Sequence, residues 1–197
     1  MKDAHVLNRV HDWPVLPSEP RFKPLAGRLA VLMCPTPETS EGGIYLTDRT
    51  SGNLRPDAGI VTASNEIPHG TRGYVRPGVG MYYESPEGWY RLLGREAFKG
   101  EGRLSVVDIF EHFVAFDIDG ELMPTPGNVL VEFVYESSVI LTLDKPKTKA
   151  VIRAVGEGSE YSAGEVACIV DSGYWLQFGD LWIIPESDIG VTIEQAA

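Results

Sequence analysis

The sequence predicts an all-β protein, and three observations carry that expectation. The chain holds 21 Gly and 14 Pro among 197 residues, which cut it into short apolar pieces and leave no room for a long 3.6-residue period. Those pieces are rich in Val, Ile and aromatic residues and are bounded by turn formers, the pattern of strands. They also recur at short intervals through two successive series, the spacing expected of small barrels or sandwiches.

The elements follow in order. Residues 1–23 carry Pro14, Pro17 and Pro20 among scattered charges, which predicts an extended arm or linker rather than a core element. Arg28-Leu-Ala-Val-Leu-Met33 is a compact apolar run between Gly27 and Pro35 and reads as a buried strand. A polar stretch over 35–56 follows, long for a loop inside a compact domain, and holds one apolar island at Ile44-Tyr45-Leu46. Strands are expected over 58–63, 80–83, 89–93, 105–110 and 113–118, with Asp119-Gly120 as a hairpin turn. A second series is expected over 128–134, 139–143, 149–155, 165–171, 174–178, 180–184 and 190–194. Only 97–100 and 185–188 suggest helical turns.

The two series resemble each other in order. PLAGRLAVLM matches PGNVLVEFV, GGIYLTD matches SSVILTLD, DAGIVTAS matches KAVIRAVG, and VVDIFEHFVAF matches LWIIPESDIGVTI. The repeated order predicts an internal duplication of a unit of about ninety residues.

Composition excludes several functions. With 28 Asp+Glu against 17 Lys+Arg and a net charge of -11, the summed field repels a polyanion, so nucleic acid is not an expected partner. Lys145, Lys147 and Lys149 read as a solvated turn beside Pro146. There is no apolar run of membrane-spanning length and no apolar core of an export signal, so neither a membrane nor secretion is expected and the chain reads as cytoplasmic. Cys34 and Cys168 lack metal-ligand spacing and read as small apolar residues in a reducing compartment.

Catalytic constellations are equally absent from the pattern. Gly-x-Gly occurs at 78–80, 100–102 and 156–158 without the third glycine or the long helix that a dinucleotide needs. No phosphate-binding loop and no nucleophile elbow is present. His5, His11, His69 and His112 have no metal spacing, and Asp117-Ile-Asp119-Gly120-Glu121 departs from a calcium loop in its glycine position and its missing twelfth-position Glu. The expectation is a protein that is not an enzyme and takes no cofactor and no metal.

On these motifs the second series, 126–194, resembles the GroES family of co-chaperonins. PGNVLVEF resembles the family's opening strand, KAVIRAVGEG the strand and turn after its loop, GEVACIVDSGYW the strand leading to a Gly-Tyr turn, and LWIIPESDIGVTIE its Glu-Ser-Asp-Ile closing signature. In the first series, GGIYLTD resembles the family's Gly-Gly-Ile mobile loop, while the rest of that half diverges. The resemblance implies two tandem GroES-like small irregular β-barrels, over 24–121 with a mobile loop at 35–56 and over 122–197, preceded by the arm 1–23. It further implies a homo-oligomeric lid, a heptamer, on a GroEL-type chaperonin that encloses unfolded client proteins.

The chaperonin contact is then expected at Gly42, Gly43, Ile44, Tyr45, Leu46 and Thr47. In an extended chain Ile44 and Leu46 project to one side and Tyr45 to the other, so two aliphatic anchors can enter one groove. A Gly-, Ser- and Glu-rich segment buries too little surface to order alone. Val139, Ile140 and Leu141 form the candidate second loop, with Ser137-Ser138 in place of Gly-Gly and shorter flanks that also suit an ordered hairpin. Tyr174 and Tyr83 match the family's turn tyrosine facing the enclosed cavity, or pack against a barrel rim. The second domain has only GEGSEYSAGE where the family often carries a longer roof hairpin, and 65–77, with Ile67, Pro68 and His69, is the candidate roof instead. The alternatives are that Ile44 and Leu46 form an ordinary edge strand in a structural or adaptor protein, viral or cellular, that uses the same barrel for assembly, or that the barrel belongs to a dehydrogenase-like enzyme, for which the nucleotide-binding domain is missing.

Overall fold

The computed structural model describes residues 5–6, 13–15, 23–34, 58–76, 103–134, 149–170 and 176–193. The protein is mostly β, with antiparallel sheets and almost no helix. It divides into two compact units, one of residues 10–113 and one of residues 1–9 with 114–197, called here the N-terminal and C-terminal units.

In the N-terminal unit the strands are β2 (Arg28–Met33), β3 (Ala58–Ser64), β4 (Arg72–Val75) and β5 (Arg103–Asp108), hydrogen-bonded in the order β5-β2-β3-β4. From Leu29 to Met33 every residue of β2 is buried, and so is all of β3 except its last residue. A strand covered on both faces needs no polar alternate positions, which is why RLAVLM reads as a continuous apolar run. Strand β5 ends at Asp108, where a single helical turn α1 (Ile109–His112) begins. The expected strand over 105–110 is therefore displaced by two residues: β5 starts two residues earlier and ends two residues earlier. The cause is local: the Asp108 carboxylate accepts from the N–H groups of Phe110 at 3.0 Å and Glu111 at 3.2 Å, and a capped turn outcompetes further extension.

The candidate roof stretch 65–77 contains β4 and a turn rather than an open loop. Ser64 Oγ accepts from the Glu66 and Ile67 amides, Glu66 Oε1 accepts from the Gly27 amide at 2.8 Å, and Asn65 Nδ2 donates to the Pro24 carbonyl at 2.8 Å. The turn is thereby held against the start of β2.

In the C-terminal unit β6 (Phe113–Ile118), whose first residue lies just before the unit boundary, and β7 (Glu121–Pro124) form a hairpin with Ile118 opposite Glu121. Its two-residue turn has Asp119 at φ 55° and Gly120 at φ 87°, as a primed turn requires. The main sheet uses β8 (Asn128–Phe133), β9 (Lys149–Val155), β10 (Val166–Ile169), β11 (Leu176–Phe178), β12 (Leu181–Pro185) and β13 (Ile189–Ile193), in the order β11-β12-β8-β9-β10-β13. A 3-10 turn, Glu186–Asp188, links β12 to β13. Val129, Val131 and Phe133 alternate inward and meet Ala150, Ile152, Ala167, Ile169, Trp182, Ile184 and Ile189 in one core, where Phe133 and Trp182 stack edge to face at 5.8 Å. The arm contributes β1 (His5–Val6), parallel to Leu176–Gln177 of β11. A piece of the expected linker is thus a strand.

The two units repeat one plan. The run β5-β2-β3-β4 and the run β12-β8-β9-β10 have the same order and the same antiparallel sense. The β2–β3 and β8–β9 pairs each slip register after their second residue pair, between Ala30 and Val31 and between Leu130 and Val131. The correspondence extends to single bonds. Val61 N–H donates to the Thr71 carbonyl as Ile152 N–H does to Glu165, and Gly70 N–H donates to Val61 as Gly164 does to Ile152. Likewise Ile109 N–H donates to the Gly27 carbonyl and Glu186 N–H to Gly127, each at 3.0 Å, and both of those glycines have positive φ, 74° and 75°. Among the described residues neither strand run closes into a barrel.

Candidate functional site

The two apolar islands leave the fold from equivalent places. Residues 35–57 join β2 to β3, and residues 135–148 join β8 to β9. At the base of the first connection Cys34 N–H donates to the Ala58 carbonyl at 2.9 Å, and at the base of the second Val134 N–H donates to the Lys149 carbonyl at 2.8 Å. Both ends of each connection are therefore fixed on neighbouring strands, so a 23-residue and a 14-residue segment each start and finish at one sheet end. A connection whose two ends are tied together at its base can present its middle to a partner while the sheet below it stays paired. Gly42, Gly43, Ile44, Tyr45, Leu46 and Thr47 lie outside the described residues, as do Val139, Ile140, Leu141, Tyr83 and Tyr174.

The residues searched for catalysis occupy structural positions where they are described. Asp117 Oδ1 accepts from the Gly120 amide at 3.0 Å and closes the β6–β7 turn. The His112 ring faces the Asp108 carbonyl through Nδ1 at 3.1 Å, while His69 is exposed in the β3–β4 turn. Cys34 is buried and Cys168 half-buried. Among the described residues no group of three His, Cys, Asp or Glu could hold a metal ion, and no helix is long and apolar enough to cross a membrane.

One constellation escapes the sequence reading. Trp13, in the arm, sits against β4: the Arg72 guanidinium carbon lies 4.8 Å from the centre of the Trp13 ring, and the Tyr74 ring meets it edge-on at 6.2 Å and 85°. A tryptophan in a proline-rich polar arm is a signal in itself, because such a ring rarely stays in water. Its partners, roughly sixty positions away, follow only from tertiary structure. No protein-family model matches the chain, and no curated protein matches it.

Proposed function

We propose that the chain is a tandem GroES-like co-chaperonin: two small irregular barrels, arisen by duplication, that assemble as a homo-oligomeric lid on a GroEL-type chaperonin and enclose unfolded client proteins. The observation that carries the reading is the repeated plan together with the position of the islands. Each island sits in the connection between equivalent strands, β2 and β3 in one unit and β8 and β9 in the other, and each connection is closed at its base by a backbone hydrogen bond. That is the architecture a side-chain probe needs if it is to dock on a partner while the sheet stays intact.

In this reading Gly42, Gly43, Ile44, Tyr45, Leu46 and Thr47 make the chaperonin contact. Burial of Ile44 and Leu46 contributes about 3 to 6 kcal/mol gross, and ordering the segment takes back much of it. A single contact is weak. A ring of such contacts binds tightly through effective concentration and still detaches when the partner changes state. The function requires no covalent chemistry, no cofactor, no nucleic acid and no membrane.

A sevenfold chaperonin ring offers seven grooves, so the two islands of each chain are unequal: the 42–47 island binds, and Val139, Ile140 and Leu141 form a weaker or unused second contact. Seven chains then satisfy the ring, and Tyr83 and Tyr174 face the enclosed cavity. The test replaces both Ile44 and Leu46 by Ser. The expected result is loss of chaperonin-assisted refolding of a denatured client with the far-ultraviolet spectrum and the unfolding midpoint unchanged. Loss of fold or of self-assembly would instead favour a structural or adaptor protein in which those residues are strand positions.

A further inference from the structure

We propose that the Arg72–Tyr74 face of β4 is a binding site for an aromatic side chain on an extended peptide, occupied in cis by the protein's own Trp13. The contact has the character of a ligand in a site rather than of core packing. Trp13 and Pro14 are half-buried and Val15 is 86% exposed, so burial falls away within two residues of the ring. A guanidinium over the indole face and a phenol ring at its edge match the two preferences of an aromatic quadrupole, for a cation on its face and for a T-shaped neighbour.

The neighbours of Arg72 and Tyr74 across the β3–β4 pair are apolar. Ile60 is paired in register with Arg72, and Ala58 with Tyr74, so these four side chains share one face of the β3–β4 pair. Both Ile60 and Ala58 are buried. Gly59 and Gly73, which alternate with them, belong to the opposite face, where a Cβ on Gly59 would press on Val31.

The repeated plan shows that this site is not a general property of the fold. The bond from Val61 to Thr71 corresponds to the bond from Ile152 to Glu165, which places Val166 where the N-terminal unit has Arg72 and Cys168 where it has Tyr74. Neither the cation nor the ring exists there. The aromatic clamp is confined to one unit, and the occupant it selects is the one the structure displays: an extended segment presenting a tryptophan beside proline. A partner chain with that feature would compete with the arm, and Trp13 acts as a built-in competitor whose tether to Lys23, ten residues on in sequence, holds it near millimolar effective concentration.

The experiment uses the full-length protein with Trp13→Ala and a synthetic peptide of residues 10–17, Val-His-Asp-Trp-Pro-Val-Leu-Pro, followed by amide chemical-shift changes in 15N-labelled protein. The expected result is saturable binding with a dissociation constant on the order of 0.1 mM, with shifts centred on Arg72, Gly73 and Tyr74. Wild-type protein binds the same peptide about ten-fold more weakly, because its site is already filled. Adding Arg72→Gln to the Trp13→Ala protein weakens binding about three-fold to thirty-fold, and a peptide with leucine for tryptophan loses at least as much. Should Trp13→Ala fail to fold, Trp13→Leu supports the same comparison. Equal binding by wild type and variant, equal binding of the tryptophan and leucine peptides, or indifference to Arg72→Gln each overturns the proposal. The readout is independent of chaperonin binding, so it stands or falls apart from the lid.

Discussion

Gly156 and Gly190 show how far single atoms constrain this fold. A Cβ on Gly156 would fall on the Thr125 carbonyl oxygen and lie 2.6 Å from its carbon and 2.9 Å from Pro126 Cα, all backbone atoms of the turn before β8. At Gly190 the same atom would meet Val170 Cγ1 at 3.3 Å, on a side chain that is largely exposed and able to turn, and the Cys168 carbonyl oxygen at an ordinary 3.7 Å. Gly156→Ala is expected to cost about 3 kcal/mol, read as a fall in the urea midpoint, and Gly190→Ala less than about 0.5 kcal/mol. Equal losses would show that the Thr125–Pro126 turn yields more readily than its contacts indicate. At the same scale, Asp108→Ala removes the acceptor for two α1 amides and is expected to cost about 1 kcal/mol, while Asp108→Asn keeps an acceptor and should recover most of that loss.

Among the elements, legibility follows the strength of the local signal. Strands β2, β3, β6, β8 and β9 can be read directly, because burial on one or both faces writes an apolar run or an alternation bounded by Gly and Pro. Helical turn α1 also had a signal, Asp108-Ile-Phe-Glu111, the spacing of a capping box, but it was outweighed by the β-rich residues around it. Strand β4, with the sequence RGYV, and β1, with only His5–Val6, are legible in no window; each is a strand because a neighbour offers its edge. The arm's Trp13 contact is of the same kind. The island residues Gly42 to Thr47 and Val139 to Leu141 are legible as islands, and the structure adds the fixed ends from which each connection starts. Hydrogen exchange reads this scale: the amides of Val61 and Ile152, which donate inside paired strands, are expected to exchange far more slowly than those of Glu66 or Ser159 in the turns. Comparable rates would contradict the equivalence of the two sheets as the stable part of each unit.

Across the whole molecule, the acid is unevenly placed. The N-terminal unit holds 11 Lys+Arg against 13 Asp+Glu, and the C-terminal unit 6 against 15, so nearly all the negative excess belongs to the second. Only one close ion pair, Arg153 with Glu132, offsets it among the described residues of that unit, and both partners are substantially exposed, so it contributes little. Self-repulsion in the C-terminal unit is therefore expected to be relieved by screening. Raising sodium chloride from about 20 to about 500 mM should raise the unfolding midpoint, and a lower midpoint would mean that attractive pairs outweigh repulsive ones. In the proposed lid the same excess would give a negative wall that repels acidic soluble clients. The most direct test of the lid itself is electron microscopy of the protein mixed with a GroEL-type chaperonin and nucleotide, with the mass of the free protein measured alongside. The account predicts a sevenfold cap, one chain per groove, present with nucleotide and lost without it; a protein that stays monomeric at micromolar concentration and leaves the chaperonin uncapped would contradict it.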